Sequence, residues 1–359
     1  MRRARPSALM ATVALACLLL VSGGAAAVQS RARPTGTWVD SPVTFGAGGI
    51  TVYATYRHRL PPTGSTPAAL LIAGSGPTDR NGNSPELSGS VDTLKTVADW
   101  LSQDGVASLR YDKLGSGRTG LGPYLLDPAT IGIKPFDEEA VAALTYLAGR
   151  PGVDRRRLAV VGHSEGALFA LLLATGMAGP APAVHALGLL EPLSVRYLDL
   201  ISDQITAQIV AASGSGQMTA GAAATLEHQL AAAISSLRAD GKLPADVPQV
   251  LSSVFSPANA LFLSQADRDD PAQLAAQLRP PTPVLVSCSN DDIQVSCAEV
   301  DHLVSGLGES HVQIDFVQLA GVDHVLKQDP SRTALAYTEP LPFSPQLRAA
   351  LQTFVRQHL

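Results

Sequence analysis

Short apolar runs alternate with longer amphipathic stretches along most of this chain, and that alternation predicts its architecture. Residues 43–45 and 50–56 are β-rich and are separated by Gly46-Ala47-Gly48-Gly49, a hairpin signal. Residues 69–73 (ALLIA) form a continuous apolar run, the pattern of a strand buried on both faces of a parallel sheet. Further strands are expected at 106–111, 158–161, 186–190, 283–287 and 312–319. Between them, 91–103 sets Val91, Leu94, Val97 and Leu101 on one helical face and stops before Gly105. A second helix is expected over 136–147, with Asp137, Glu138 and Glu139 in its first turn to complement the macrodipole. Helices also fit 167–174, 298–307 and 345–358. This alternation points to an α/β fold, a mostly parallel central sheet flanked by helices. It breaks at Glu191-Pro192. From 194 to 277 no strand stands out, and helical periodicity covers 198–212 and 222–237, so a helical insertion is expected there.

Composition narrows the class. The chain has 359 residues, 46% of them hydrophobic, which is enough for a large globular core. The net charge is −5 with no basic stripe, which argues against a nucleic-acid partner. Residues 1–27 read as a targeting segment. Arg2, Arg3 and Arg5 precede an apolar run over 8–21, and Ala25-Ala26-Ala27 offers a cleavage site. The run is short for a membrane span. Export followed by removal of the segment is therefore expected, giving a secreted or cell-envelope protein. Two rivals are weaker. The residues around Arg2-Arg3 match a twin-arginine signal poorly, and lipid anchoring at Cys17 conflicts with the apolar run continuing to Val21. Residues 28–42 read as an N-terminal arm, 43–193 and 278–359 as the two parts of the α/β core, and 194–277 as the insertion. Cleavage removes Cys17 and leaves Cys288 and Cys297, a disulfide candidate in an oxidising compartment. So small a loop would add about 2–3 kcal/mol. The alternative is two ordinary buried thiols.

The chemistry concentrates at 162–166, Gly162-His163-Ser164-Glu165-Gly166. This is a G-x-S-x-G pattern in the context it requires, between a predicted strand and a predicted helix. Such a turn exposes a serine hydroxyl above the sheet and next to a helix N-terminus, so Ser164 is the candidate nucleophile. A glycine-rich loop, 74–83 (GSGPTDRNGN), follows the buried ALLIA strand. It lacks the spacing of a phosphate-binding loop. Its other use is an oxyanion hole, with one donor the N–H of Ser75 (Gly76 as fallback) and the other that of Glu165; a plain tight turn is the alternative. Asp79, Arg80 and Asp112 read as loop-bracing charges, Asp112 because it precedes Ser164 in the chain. The general base must be an imidazole oriented by a carboxylate. Among eight histidines, His324 alone lies in a loop directly after a strand downstream of Ser164. His163 reads as a packing residue, and His302 and His311 as surface groups. Asp291 and Asp292 both follow the strand that resumes the sheet, and either suits the acid. Serine, then acid, then histidine is the chain order of the α/β-hydrolase fold. An insertion beginning at the strand end that faces Ser164 is expected to act as a lid.

Five segments carry a family resemblance: LLIAGSGPTDRNGN, RYDKLGSGR, VVGHSEGA, PVLVSCSNDDIQV and GVDHVLK. With them the chain resembles the serine-aminopeptidase-like (S33-type) and bacterial carboxylesterase group of α/β-hydrolases. They span nearly all of the chain after the leader except the insertion. In that group the acid precedes an x-Gln-Val tripeptide, which selects Asp292, before Ile293-Gln294-Val295. One departure is that the group usually carries a glycine near Ser289 and no cysteines there. The resemblance implies a serine esterase acting on a small-molecule ester through Ser164, His324 and Asp292. No metal or organic cofactor is implied, since neither H-E-x-x-H nor a Cys/His cluster of ligand spacing is present. A thioesterase and an aminopeptidase remain alternatives on the same site; a peptidase would need a carboxylate for the substrate ammonium, with Glu165 or Glu191 available. A non-catalytic binding protein on this fold is the rival from another class.

Overall fold

The computed structural model describes residues 36–62 and 64–359, so the leader expected at 1–27 and Cys17 lie outside the described residues. Eight strands form one sheet in the order β1-β2-β4-β3-β5-β6-β7-β8. Strands β1 (Thr37–Ala47) and β2 (Ile50–Leu60) form an antiparallel hairpin. Its two-residue turn is Gly48-Gly49, both at positive φ, the conformation a tight hairpin turn demands and glycine adopts without strain. The remaining strands are β3 (Thr66–Ile72), β4 (Ala107–Tyr111), β5 (Val153–His163), β6 (Ala186–Leu190), β7 (Val284–Ser289) and β8 (Ile314–Leu319). Strand β2 runs antiparallel to β4, and every pairing from β4 through β8 is parallel.

Successive residues of the central strands feed opposite faces. Ala68, Leu70 and Ile72 join one apolar cluster, while Ala69, Leu71 and Ala73 join the other. That double burial is why the run carries no polar alternation. Helices α1 (Thr93–Gln103) and α9 (Pro345–His358) cover the second face with Leu94, Val97, Leu101, Leu347, Leu351 and Phe354. Helices α2 (Lys134–Ala148), α3 (Gly166–Thr175) and α8 (Cys297–Glu309) cover the first with residues such as Leu144, Leu168 and Leu303. Between β6 and β7 the chain forms α4 (Tyr197–Gly214), α5 (Ala220–Asp240), α6 (Pro257–Ala266) and α7 (Pro271–Ala276). Among the described residues no helix is long and apolar enough to cross a membrane.

Two expectations are corrected. The arm expected over 28–42 is strand from Thr37 onward, paired with β2 from Thr37↔Leu60 inward. Asp40, Ser41 and Pro42 look like a break in sequence, but an edge strand has a solvent-facing side that tolerates polar side chains and proline's missing N–H. The acidic run at the start of α2 is also split. Asp137 lies in the first turn, whereas Glu139 is fully buried and accepts the Leu114 N–H at 2.9 Å.

Candidate active site

Ser164 stands between β5 and α3 at φ +54°, left-handed backbone that a non-glycine residue seldom adopts. The two flanking glycines are required by contact. A Cβ on Gly162 would lie 2.2 Å from the Gly166 carbonyl oxygen, and one on Gly166 would lie 2.2 Å from that of Ile72. The turn is pinned to the exit of β6: Ser164 N–H donates to Leu190 O at 3.0 Å, and Leu193 N–H donates to Ser164 O at 3.1 Å.

The loops after β7 and β8 bring acid and imidazole together. His324 Nδ1–H donates to Asp292 Oδ2 at 2.7 Å, with the Asp292 side chain fully buried. The other carboxylate oxygen accepts Gln294 N–H at 2.6 Å and Val295 N–H at 3.2 Å. Those donors fix the Asp292 carboxyl in direction. With Nδ1 carrying the hydrogen, the Nε2 lone pair of His324 is free for a proton. Asp291 faces elsewhere and accepts Gly321 N–H at 3.0 Å, at the start of the histidine loop. Among the described residues the Ser164 hydroxyl makes no hydrogen bond, so the Ser164–His324 contact is open in this state. Such contacts commonly tighten only once substrate is bound.

His163 bridges the two loops. Its Nε2–H donates to the His324 carbonyl at 2.7 Å, tying the histidine loop to the residue before Ser164. Burial, with the neighbouring His324, pushes its pKa down to about 3, so it stays neutral and keeps that donor. The 74–83 loop lies close by, a Cβ on Gly74 meeting Ser164 Cβ at 3.2 Å. Neither Ser75 nor Glu165 spends its backbone N–H on a protein acceptor among the described residues. Asp112 accepts from the Arg80 side chain and from Arg80 and Arg118 N–H, bracing one loop against another.

Two groups had no signal in the sequence, and a third, Glu191, stood there only as a carboxylate available to a substrate ammonium. Lys113 Nζ, just past β4, donates to Gly74 O at 2.5 Å and to Glu165 Oε1 at 2.6 Å. Tyr197, at the start of α4, donates its hydroxyl to Glu165 Oε2. Burial and the Glu165 carboxylate both raise the Tyr197 pKa well above its ordinary value, so it remains a donor. Glu191 follows β6 at φ +42° and is fully buried against Asp292. Its carboxyl accepts Ser289 N–H at 3.1 Å and the Ser287 hydroxyl at 3.3 Å. Burial, then the Asp292 charge, raise its pKa well above the carboxylate range. Cys288 on β7 and Cys297 opening α8 are joined by a disulfide (S–S 2.05 Å) that encloses Asp292. Among the described residues no three His, Cys, Asp or Glu side chains gather as they would around a metal ion.

An antiparallel hairpin leading into a parallel sheet, with a sharp serine turn after β5, an aspartate after β7 and a histidine after β8, is the α/β-hydrolase fold. No family model matches the chain, and no curated protein matches its sequence. Solved structures do. An esterase of Pyrococcus furiosus superposes with TM-score 0.55 at 14% identity, covering 90% of this chain and 91% of that one. An esterase of Butyrivibrio proteoclasticus with ferulic acid bound gives TM-score 0.52 at 16% identity, covering 88% and 98%. A thermostable esterase of Pseudomonas putida gives TM-score 0.53 at 17% identity, covering 90% and 83%. At these identities the likeness is one of fold.

Proposed function

We propose that this protein is an exported serine hydrolase that cleaves carboxylic esters of small molecules through an acyl-Ser164 intermediate. The observation that carries the reading is the 2.7 Å hydrogen bond from His324 to a buried, turn-held Asp292, on loops neighbouring the strained Ser164 turn. The esterases with this fold support the choice of ester over other acyl groups. The sequence motifs resemble those of the serine-aminopeptidase-like and bacterial carboxylesterase group.

In this mechanism His324 Nε2 takes the Ser164 proton as Oγ adds to the ester carbonyl. The oxyanion is met by the N–H groups of Ser75 and Glu165, each worth about 2.7–4 kcal/mol of barrier in comparable sites. The imidazolium, steadied by Asp292, then protonates the departing alkoxide. Water next gives a proton to His324 as its oxygen adds to the acyl carbon. Collapse of that intermediate returns the proton to Ser164 and releases the carboxylic acid. Helix α4 touches both sides of the site, through Tyr197 on Glu165 and Gln204 Nε2 on Gln294 O at 2.8 Å, which favours a lid role for the insertion. The disulfide suits an exported protein.

An aminopeptidase reading needs a carboxylate free for the substrate ammonium. Glu165 is already bound by Lys113 and Tyr197, and Glu191 is buried and neutral beside Asp292. Ester hydrolysis is therefore favoured. The test is turnover of p-nitrophenyl esters of increasing acyl length by the wild type and by Ser164→Ala. The expected result is turnover that falls by about 10⁶-fold in the variant, with a fluorophosphonate probe labelling Ser164. Turnover of amino-acid amides instead would restore the peptidase. Labelling of neither form, with no turnover, would leave the binding protein.

A further inference from the structure

One buried ammonium bridges the Gly74 backbone and the Glu165 side chain, beside the Ser164 turn. Lys113 Nζ lies 2.5 Å from Gly74 O and 2.6 Å from Glu165 Oε1, and the Lys113 and Glu165 side chains are 7% and 5% exposed. The first contact matters because of which peptide it grips. Gly74 C=O and Ser75 N–H belong to the same peptide unit, and that unit is trans. In a trans peptide the two groups point in opposite directions. A cation drawn onto the carbonyl therefore fixes the N–H pointing away from it, and polarises the peptide so that the N–H becomes the stronger donor. The second contact holds the residue whose own N–H is the other candidate donor. Tyr197, on the first turn of α4, caps the remaining Glu165 oxygen.

We propose that Lys113 is the positioning residue of the oxyanion hole, orienting Ser75 N–H through the Gly74 carbonyl and Glu165 N–H through the Glu165 carboxylate, and that Tyr197 makes this arrangement depend on the seating of the helical insertion. The proposal rests on the acyl-transfer reading given above. It explains why a charged pair is kept where its desolvation is costly. Two isolated loops would otherwise have to align their donors by backbone stiffness alone. It also gives the insertion a route to the chemistry that requires no contact with the reacting atoms.

The test compares wild type, Lys113→Met, the charge-neutral double variant Lys113→Met/Glu165→Gln, and Tyr197→Phe. Each is assayed for kcat and KM on a p-nitrophenyl ester, and for inhibition by an aryl trifluoromethyl ketone, whose adduct with Ser164 carries an oxyanion. Thermal unfolding is followed in parallel. The expected result is a fall in kcat of about 10- to 100-fold in Lys113→Met with KM little changed, somewhat below the loss of a whole donor. The ketone should weaken by the same factor. The double variant should regain thermal stability without regaining kcat, and Tyr197→Phe should show a smaller loss in the same direction. Folded lysine variants with wild-type kcat and ketone affinity would overturn the proposal while leaving the serine mechanism standing. So would a defect confined to KM or to thermal stability. A wild type that neither hydrolyses esters nor binds the ketone would remove the acyl-transfer reading, and the proposal with it.

Discussion

Glu191 sets its carboxyl against that of Asp292 in a space closed to water, and two carboxylates there cannot both stay charged. Two backbone N–H groups and His324 donate to Asp292, while burial and the neighbouring Asp292 raise the Glu191 pKa well above the carboxylate range. Glu191 keeps the proton. This predicts that Glu191→Gln retains most of the wild-type kcat, since an amide can donate toward Asp292 while its oxygen accepts Ser289 N–H. Glu191→Ala leaves that N–H unpaired and should lower stability by about 1–3 kcal/mol. Steady-state kinetics with denaturant unfolding of both variants checks this. A large loss of kcat in the glutamine variant would mean that Glu191 works as a carboxylate. The same pair shows what a residue's sequence context can convey. The Ser164 turn is readable because its requirements are local, five residues between a strand and a helix. Asp291 and Asp292 read alike side by side; only the turn through Gln294 sends one to His324 while the other holds Gly321.

Among the elements, the loop from β7 to α8 carries the acid and is closed at both ends by Cys288–Cys297 across nine residues of separation. A Ser296–Glu299 capping box starts α8 across the Cys297 end of that loop, so the loop is tied by covalent and hydrogen-bonded means together. Reduction should lower the unfolding free energy by about 2–3 kcal/mol, the value for a loop this short. The activity should fall earlier in urea than global unfolding does, because the released loop holds Asp292. Parallel urea curves of turnover and circular dichroism, with and without reductant, measure the difference; coincident curves would show that the loop is held without the bridge. Elements of this kind were largely legible: β6 and α9 lie over the residues that their hydrophobic pattern marks, because β6 is a short unbroken apolar run and α9 buries a regular apolar stripe. What was not legible is how elements meet. Lys113 and Glu165 are 52 positions apart and join only because β3 lies between β4 and β5 in the sheet. No periodicity along the chain encodes that order. Glu139 reads as a solvent-facing first-turn acid until the packing of α2 turns it inward.

Across the whole molecule, the buried acids give stability a slope with pH. Burial raises the pKa of Glu139 to about 8 and, with Asp269 nearby, that of Asp137 to about 7. Glu191 is raised as well, by burial and by Asp292. A carboxyl whose folded pKa exceeds its unfolded value binds its proton more tightly in the native state. Its contribution is full below the unfolded pKa, near 4.5 for a glutamate, and is lost as pH rises through the folded pKa. His163 acts in the opposite sense, since its pKa of about 3 lies below the unfolded 6.5; it costs stability only as pH falls below that value. Above pH 6.5 the histidine has no further effect. The native protein should therefore lose stability between pH 6.5 and 8, where Glu139 and Glu191 must ionise in the interior or hold protons that the unfolded chain has released. Urea midpoints across that window measure the slope. Glu139→Gln tests its origin, because a glutamine oxygen can still accept Leu114 N–H while having no proton to lose. The variant should gain on the wild type as pH rises and flatten the profile. A wild-type midpoint that is level or rises from pH 6.5 to 8 would mean that these carboxyls reach water in the native state.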